Sequence, residues 1–142
     1  MSRDPEVRDG TAPTGGSEPI RIVISDEHEM VRAGLCLLLA REPDLTVTFD
    51  VPDAAAAAGV LAAHHVDVLV FDVGLPGSAS LAVVPALRES HPGTAIVAVA
   101  LQSDPKLARE ALGLGVSAFV VKSAPAQELI GAIRLAAAGR TS

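Results

Sequence analysis

Five short apolar runs recur along the chain, each long enough for a β-strand. They are IRIVIS (20–25), LTVTFDV (45–51), DVLVFD (67–72), TAIVAVA (94–100) and SAFVVK (117–122). Apart from the second run, their apolar positions are nearly continuous and do not alternate with polar ones. Strands of a sheet that is covered on both faces have this pattern, so we predict five buried strands.

The segments between these runs carry apolar residues at helical spacing. We predict five helices, at roughly 28–41, 53–64, 79–90, 105–114 and 125–138. Strand and helix alternate five times, which indicates an α/β fold with parallel strands. We expect a doubly wound five-stranded sheet with helices on both faces. In the flavodoxin-like order 2-1-3-4-5, strands one and three are neighbours.

The first residues differ from the rest in composition. Residues 1–19 are rich in glycine, proline and charge, and we expect them to form a disordered extension. The folded domain should then cover 20–139, which leaves 140–142 as the start of a linker or the end of the chain. A chain of 142 residues has room for one such domain.

Composition narrows the classes of function. The chain has three phenylalanines and neither tryptophan nor tyrosine, and its net charge is −6. Both features disfavour direct nucleic-acid binding, which uses aromatic platforms or basic surfaces. The single cysteine, Cys36, cannot form an internal disulfide and is expected to be packed. No apolar run is long enough to cross a membrane, and we expect a cytoplasmic protein.

Carboxylates follow two of the predicted strands. Asp26 and Glu27 come directly after the first strand, and Asp72 closes the third. Ligands of open α/β sheets bind outside the carboxyl ends of the strands, and like charges there destabilise each other unless a cation joins them. Taken singly, Asp26 and Glu27 are explained as acidic residues in the first turn of a helix. Taken with Asp72, they favour a Mg²⁺ site.

The residues at these strand ends also suggest a reaction, the transfer of a phosphoryl group. A carboxylate such as Asp72 can act as a nucleophile towards phosphoryl groups and form an aspartyl-phosphate. This transfer needs mainly positioning and charge neutralisation. Lys122, one of only two lysines, ends the fifth strand, where its ammonium can pair with a carboxylate or phosphate oxygen. The alternative for Lys122 is an ordinary surface lysine.

Together these motifs resemble the receiver domain of bacterial two-component response regulators. The likeness covers about Ile20 to Gly139. The segments SDEHEMVRAGL, FDVGLPG and AREALGLGVSAFVVKSAPAQELIGAI are most similar to receivers that precede LuxR-type helix-turn-helix output domains. The resemblance implies a phosphoacceptor in a phosphorelay and not an enzyme, with at most slow self-dephosphorylation.

The resemblance also implies residue roles and partners. Asp72 would accept the phosphoryl group and Lys122 would bind it. Asp26, Glu27, Asp72 and the carbonyl of Gly74 would hold Mg²⁺, and Phe119 would be the rotating switch aromatic or, alternatively, an ordinary core ring. The partners would be a sensor histidine kinase and a second copy of the chain in a homodimer. Any contact with DNA would be made by an output domain beyond these residues.

The pattern departs from the family beside the predicted site. Ala100 stands where the family usually has Thr or Ser, whose hydroxyl binds the phosphoryl group. Losing a hydrogen bond to a charged group, about 1.5–3 kcal/mol, would weaken the switch without preventing phosphorylation. Leu101 stands where a small residue usually leaves the pocket open, and Ser80 replaces a common loop glycine, while Gly74 leaves space.

Two other functions stay open at this point. The departures at Ala100 and Leu101 suggest an interaction or ligand-sensing dimerisation module whose state does not depend on phosphate. An enzyme or flavin carrier on the same scaffold is less favoured, because SDEHE places negative charge where a flavodoxin-like protein would bind phosphate.

Overall fold

The fold is taken from a computed structural model that describes residues 18–74 and 80–140, with side-chain environments up to 139. All but the last two residues of the proposed extension 1–19 lie outside this part, as do residues 75–79 and 141–142. No helix in the described ranges combines the length and the apolar character needed to cross a bilayer.

The sheet has five parallel strands in the order β2-β1-β3-β4-β5, as predicted. The strands are β1 (Ile20–Ser25), β2 (Leu45–Val51), β3 (Val68–Asp72), β4 (Ala95–Ala100) and β5 (Ala118–Val121). The pairing of β1 with β2 shifts register once, between Ile22 and Val23. The order in which strands are added to the sheet reverses between β1 and β3, which opens a crevice at the carboxyl ends of these two parallel strands.

Within the described residues, five α-helices connect and follow the strands. They are α1 (Glu29–Ala40), α2 (Ala54–Ala63), α3 (Val84–Ser90), α4 (Pro105–Leu114) and α5 (Ala126–Arg140). The helix predicted at 79–90 is divided into a 3₁₀ turn, Ser80–Val83, followed by α3. Pro85 explains the division, because it lacks the amide that would donate to the preceding turn.

The helices cover the sheet in two layers. Leu39 of α1 and Ile133 of α5 pack with Ile22 and Val97 on one face. On the other face, α2, α3 and α4 bury residues such as Leu61, Leu87 and Leu107 against Val23, Leu69 and Ile96. Alternate residues of each strand therefore point into different layers, and the apolar continuity of the strands follows from this double coverage.

Candidate functional site

The strand order brings the sequence-predicted residues to one edge of the sheet. Asp26 follows β1, Asp72 ends β3, Ala100 ends β4 and Lys122 follows β5. Because β1 and β3 are adjacent, their terminal carboxylates share the crevice. The amide of Lys122 donates to the carbonyl of Ala100 at 2.7 Å, which fixes the start of the lysine side chain beside the same crevice.

Asp26 is the most enclosed acidic residue of the site, with 1% of its surface exposed. Its Oδ1 accepts a hydrogen bond from the His28 amide at 2.9 Å, and Arg32 donates from Nη1 to its carbonyl oxygen at 2.8 Å. Its Oδ2 lies 2.7 Å from Lys122 Nζ. Oδ2 has no well-directed hydrogen bond, so charge holds this contact.

The environment of Asp26 favours its charged form. Burial alone raises the pKa of this carboxyl, because low-dielectric surroundings disfavour charge. The Lys122 ammonium and the hydrogen bonds from the His28 amide and ring act in the opposite direction. Together they outweigh burial and hold the pKa of Asp26 below its usual value of 3.8. Asp26 is therefore a permanent anion near neutral pH.

Lys122 lies between two carboxylates. Its Nζ is 3.4 Å from Asp72 Oδ1 as well as 2.7 Å from Asp26 Oδ2, and its side chain is only 12% exposed. Asp72 Oδ1 also accepts the Gly74 amide at 3.0 Å. Gly74 has φ +75°, a conformation that glycine adopts without steric cost. The turn thus orients the Asp72 carboxylate at the end of its strand.

A cavity of about 580 Å³ opens over these groups. It is lined by Glu27, His28, Val31, Asp72, Gly74, Ser80, Leu101 and Lys122. Leu101 is 59% exposed, and it contributes an apolar wall facing the polar floor. Asp72 and Lys122 can therefore be reached from solvent, whereas Asp26 forms the closed end of the site.

The geometry is compatible with a divalent cation. Asp26, His28 and Asp72 each offer one ligand atom, and these atoms lie within 4.8 Å of one another. Asp26 Oδ2 is already paired with the Lys122 ammonium at 2.7 Å, so a cation would be bound through the other carboxylate oxygens of the site. Glu27, which the sequence placed in the ligand set, is exposed on the cavity wall and outside this group of three.

Sequence reasoning missed His28. The histidine stands in the quoted segment SDEHE, two residues after Asp26, but nothing in its spacing marks it as a ligand. Its Nδ1 lies 3.2 Å from Asp26 Oδ1 because the turn that joins the His28 amide to the same oxygen folds the ring back.

The two proposed switch positions lie on β4 and β5, and neither lines the cavity. Ala100 is 1% exposed and offers only a methyl group at the end of β4. Phe119 of β5 is half-buried and packs against the core layer formed by α2, α3 and α4. Cys36 is half-buried in the other layer, where burial first and the nearby Asp50 second raise the pKa of its thiol.

Comparisons with known proteins agree with this architecture. The family model described as the response regulator receiver domain matches residues 22–134. The oxygen regulatory protein NreC of Staphylococcus carnosus (strain TM300) is 31% identical over 123 residues, which are 86% of this chain and 57% of NreC. The chain thus spans a little over half the length of this relative.

Solved structures with the same fold include two regulators. The signal receiver domain of NarL from Mycobacterium tuberculosis superposes with a TM-score of 0.78 at 28% identity, covering 87% of this chain and 99% of that one. A LuxR-family two-component response regulator from Aurantimonas sp. SI85-9A1 gives 0.78 at 29% identity, with coverages of 87% and 88%. The matched sequence, the strand order and the crevice agree, and the chain belongs to the response regulator receiver domain family.

Proposed function

We propose that this chain is a phosphoacceptor, and that Asp72 takes a phosphoryl group from the phosphohistidine of a sensor histidine kinase. The observation that supports this most is the position of Lys122 Nζ, 3.4 Å from Asp72 Oδ1 and 2.7 Å from Asp26 Oδ2. An ammonium that lies within reach of Asp72 at an open cavity can pair with an oxygen of an incoming phosphoryl group.

In the proposed reaction an Asp72 carboxylate oxygen attacks phosphorus, so that an O–P bond forms as the P–N bond breaks. The bonding pair of the P–N bond stays on the kinase imidazole, which then takes a proton from solvent. The Gly74 amide orients the attacking carboxylate, and Lys122 pairs with the incoming phosphoryl oxygens. We assign no further catalytic activity beyond slow hydrolysis of the acyl phosphate.

A divalent cation, Mg²⁺ in the simplest case, would be held by Asp26, Glu27, Asp72 and the Gly74 carbonyl. When bound, it would neutralise charge on the phosphoryl oxygens. Without it, the incoming anion meets two carboxylates and one ammonium, which leaves a net negative site. We therefore expect phosphotransfer to depend on the cation.

The output would be a change in association. We propose that phosphorylation controls homodimerisation and, through residues beyond the receiver, a DNA-binding output in the cytoplasm. Two observations support this. The structural relative from Aurantimonas belongs to the LuxR family, and the chain matches only 57% of the length of NreC. The negative charge of the chain agrees with DNA contact by another domain.

Ala100 would make this switch weak. A phosphoryl group on Asp72 lies beside a methyl group at the end of β4, where no hydroxyl can bind it. Phosphorylation then proceeds, but the active arrangement loses a hydrogen bond worth about 1.5–3 kcal/mol. The population shift produced by phosphate would be smaller by about 10- to 150-fold.

Intact-mass measurement after incubation with acetyl phosphate and Mg²⁺ tests the proposal. We expect one added phosphoryl group on the wild type and none on Asp72→Asn. Asp104→Asn is a matched control, because Asp104 caps α4 away from the crevice and Asn caps helices equally well. Absence of an adduct on the wild type, or an equal adduct on Asp72→Asn, would remove the proposal.

A second candidate is a receiver whose association does not depend on phosphate. The apolar Leu101, 59% exposed beside Val31 on the cavity wall, supports it, because such a wall suits a ligand or a partner side chain. Under this reading Asp72→Ala leaves the oligomeric state and activity unchanged, and so does Ala100→Thr. Under the leading proposal, Asp72→Ala abolishes the response to phosphodonor.

A further inference from the structure

The backbone of Asp26 is fixed by a hydrogen bond on each side of its Cα atom. Its amide donates to the carbonyl of Val51 in β2 at 3.0 Å, and its carbonyl accepts from Nη1 of Arg32 at 2.8 Å. This carbonyl belongs to the planar peptide group that joins Asp26 to Glu27. Arg32 therefore fixes the plane between the two acidic residues of the turn.

Arg32 is held in this position from two elements. Its amide belongs to the first turn of α1 and donates to the carbonyl of His28 at 3.0 Å, and its Nε donates to Asp50 Oδ1 in β2 at 3.1 Å. The guanidinium donors form a rigid planar fork, so the bond to Asp50 directs Nη1 towards the Asp26 carbonyl. The Arg32 side chain is only 15% exposed, whereas arginines in general are mostly exposed.

The two cations beside Asp26 act on different parts of this residue. Lys122 Nζ lies 2.7 Å from the carboxylate Oδ2, whereas Arg32 reaches the backbone carbonyl. Glu27 is exposed where it lines the cavity, so packing does little to place its side chain. The direction of that side chain then depends on the peptide plane that Arg32 holds. The arginine thus influences the acidic site without lining the cavity itself.

We propose that Arg32 is a positioning residue of the acidic site, which keeps Asp26 and Glu27 in the arrangement that binds Mg²⁺. Partners behind metal ligands contribute about 10- to 100-fold to metal affinity, because they orient the ligands. The inference rests on the metal site of the proposed function but does not need phosphotransfer. Arg32 itself contacts neither the cation nor the phosphoryl group.

Calorimetric titration of the unphosphorylated chain with Mg²⁺ tests this inference. Arg32→Met keeps a long side chain of high helix propensity but donates no hydrogen bond, and it should weaken Mg²⁺ binding by about tenfold or more. The direction is diagnostic, because removal of a positive charge beside an acidic site would by itself strengthen the binding of a cation. Arg134→Met is the matched control, since it removes an exposed arginine that pairs with Asp44 and Glu42 away from the cavity. This control should bind Mg²⁺ as the wild type does.

A second variant and a second readout separate positioning from charge and from damage to the fold. Arg32→Lys keeps the charge but lacks the fork that joins Asp50 to the Asp26 carbonyl, so we expect a smaller loss of Mg²⁺ affinity. With acetyl phosphate, Arg32→Met should raise the Mg²⁺ concentration for half-maximal phosphorylation about as much as it raises the dissociation constant. The rate at saturating Mg²⁺ should change little, because Asp72 and Lys122 are intact.

The outcomes for the inference and for the proposed function are distinct. Mg²⁺ affinity in Arg32→Met equal to or above that of the wild type would overturn the inference. An equal loss in Arg134→Met, or a wild type that binds no Mg²⁺, would overturn it as well. A chain whose Mg²⁺ affinity depends on Arg32 but that accepts no phosphoryl group would contradict only the proposed function.

Discussion

Asp26 combines nearly complete burial with a full charge, and this combination has a consequence in acid. Because its pKa is held below 3.8 in the folded chain, the carboxylate contributes stability at pH values above 3.8. That contribution is lost as the pH falls through the folded-state pKa, where the folded carboxyl takes up a proton. The pKa of Asp44 is lowered as well, because the hydrogen bond that it accepts from Arg134 outweighs the effect of burial.

Asp26→Asn should flatten the acid dependence of stability. We expect the free energy of unfolding of the wild type to fall more steeply between about pH 5 and pH 2 than that of the variant. Chemical denaturation followed by far-ultraviolet circular dichroism measures both slopes. The comparison concerns slope only, because Asn also leaves Lys122 without one of its partners. Identical slopes would show that the Lys122 ammonium does not lower the pKa of Asp26.

Ala100→Thr should restore the missing hydrogen bond of the switch. The change adds a hydroxyl at the end of β4, and we expect the shift in dimer population caused by beryllofluoride to grow by about 10- to 150-fold. Ala100→Val is the matched control, since valine has the shape of threonine without the hydroxyl. Its packing cost, about 1–3 kcal/mol at a site that is 1% exposed, is shared by both variants.

Sedimentation equilibrium with and without beryllofluoride measures that shift. A response of Ala100→Thr equal to that of Ala100→Val would contradict the weak-switch account.

The placement of site residues was predictable from the sequence where a strand end fixed it. Asp72 and Lys122 lie together because each terminates a buried parallel strand. His28 was not predictable, since its approach to Asp26 depends on a turn of two residues and on a ring rotamer. The exposed position of Glu27 also depends on the local conformation of this turn. The spacing of apolar residues contains no information on the position of His28 or of Glu27.

At the scale of elements, the residue that ends α4, Gly115, is difficult to substitute. Gly115 is the C-cap of α4, with φ +115°, and it closes the helix through its amide. A Cβ placed there would lie 3.3 Å from Cγ of Arg88. The backbone conformation therefore favours glycine, and a Cβ would in addition require the Arg88 side chain to move by a few tenths of an ångström.

Gly115→Ala should destabilise the fold by about 1–2 kcal/mol, the cost of a left-handed conformation for a residue with a Cβ. Gly113→Ala is the control within the same helix, because its Cβ would meet nothing within 4 Å. That variant should gain about 0.5–1 kcal/mol from helix propensity. Urea denaturation gives both values, and a stabilising Gly115→Ala would be inconsistent with the cap described above.

Element boundaries were predictable to within about two residues wherever apolar runs were bounded by turn residues. The exception is the segment 79–90, where the structure has a 3₁₀ turn at Ser80–Val83 before α3. The apolar pattern continues through both parts, so periodicity alone cannot separate them. Pro85 marks this division in the sequence, because proline has no amide N–H to donate to the hydrogen bonds of a continuous helix.

At the scale of the whole molecule, alternation of strands and helices was sufficient to predict the sheet and its two helical layers. Some long-range ties could not be predicted. Arg134 of α5 donates to Asp44 at 2.9 Å and to Glu42 at 2.8 Å, across a sequence separation of about ninety residues. A charge pattern does not specify which of several exposed acids such an arginine meets. These pairs are exposed and screened by solvent, so each contributes little to the stability of the fold.

The whole molecule also explains why one small crevice combines four separate segments. The carboxyl ends of parallel strands lie at one edge of the sheet. Because the strand order reverses between β1 and β3, that edge is left uncovered there. The charges of Asp26, Asp72 and Lys122 are then confined between two packed layers. This convergence of charges is the reason for our proposal that the crevice is the phosphoryl site.

Beryllofluoride binding in the presence of Mg²⁺ tests that claim most directly, because this phosphoryl analogue needs the acceptor, the cation and the lysine together. Proton–nitrogen correlation spectra of the wild type should show shifted amides at Gly74, Leu101 and Lys122, which line the cavity. Asp72→Asn should show none of these shifts. Unchanged wild-type spectra, or the same shifts in Asp72→Asn, would contradict the account.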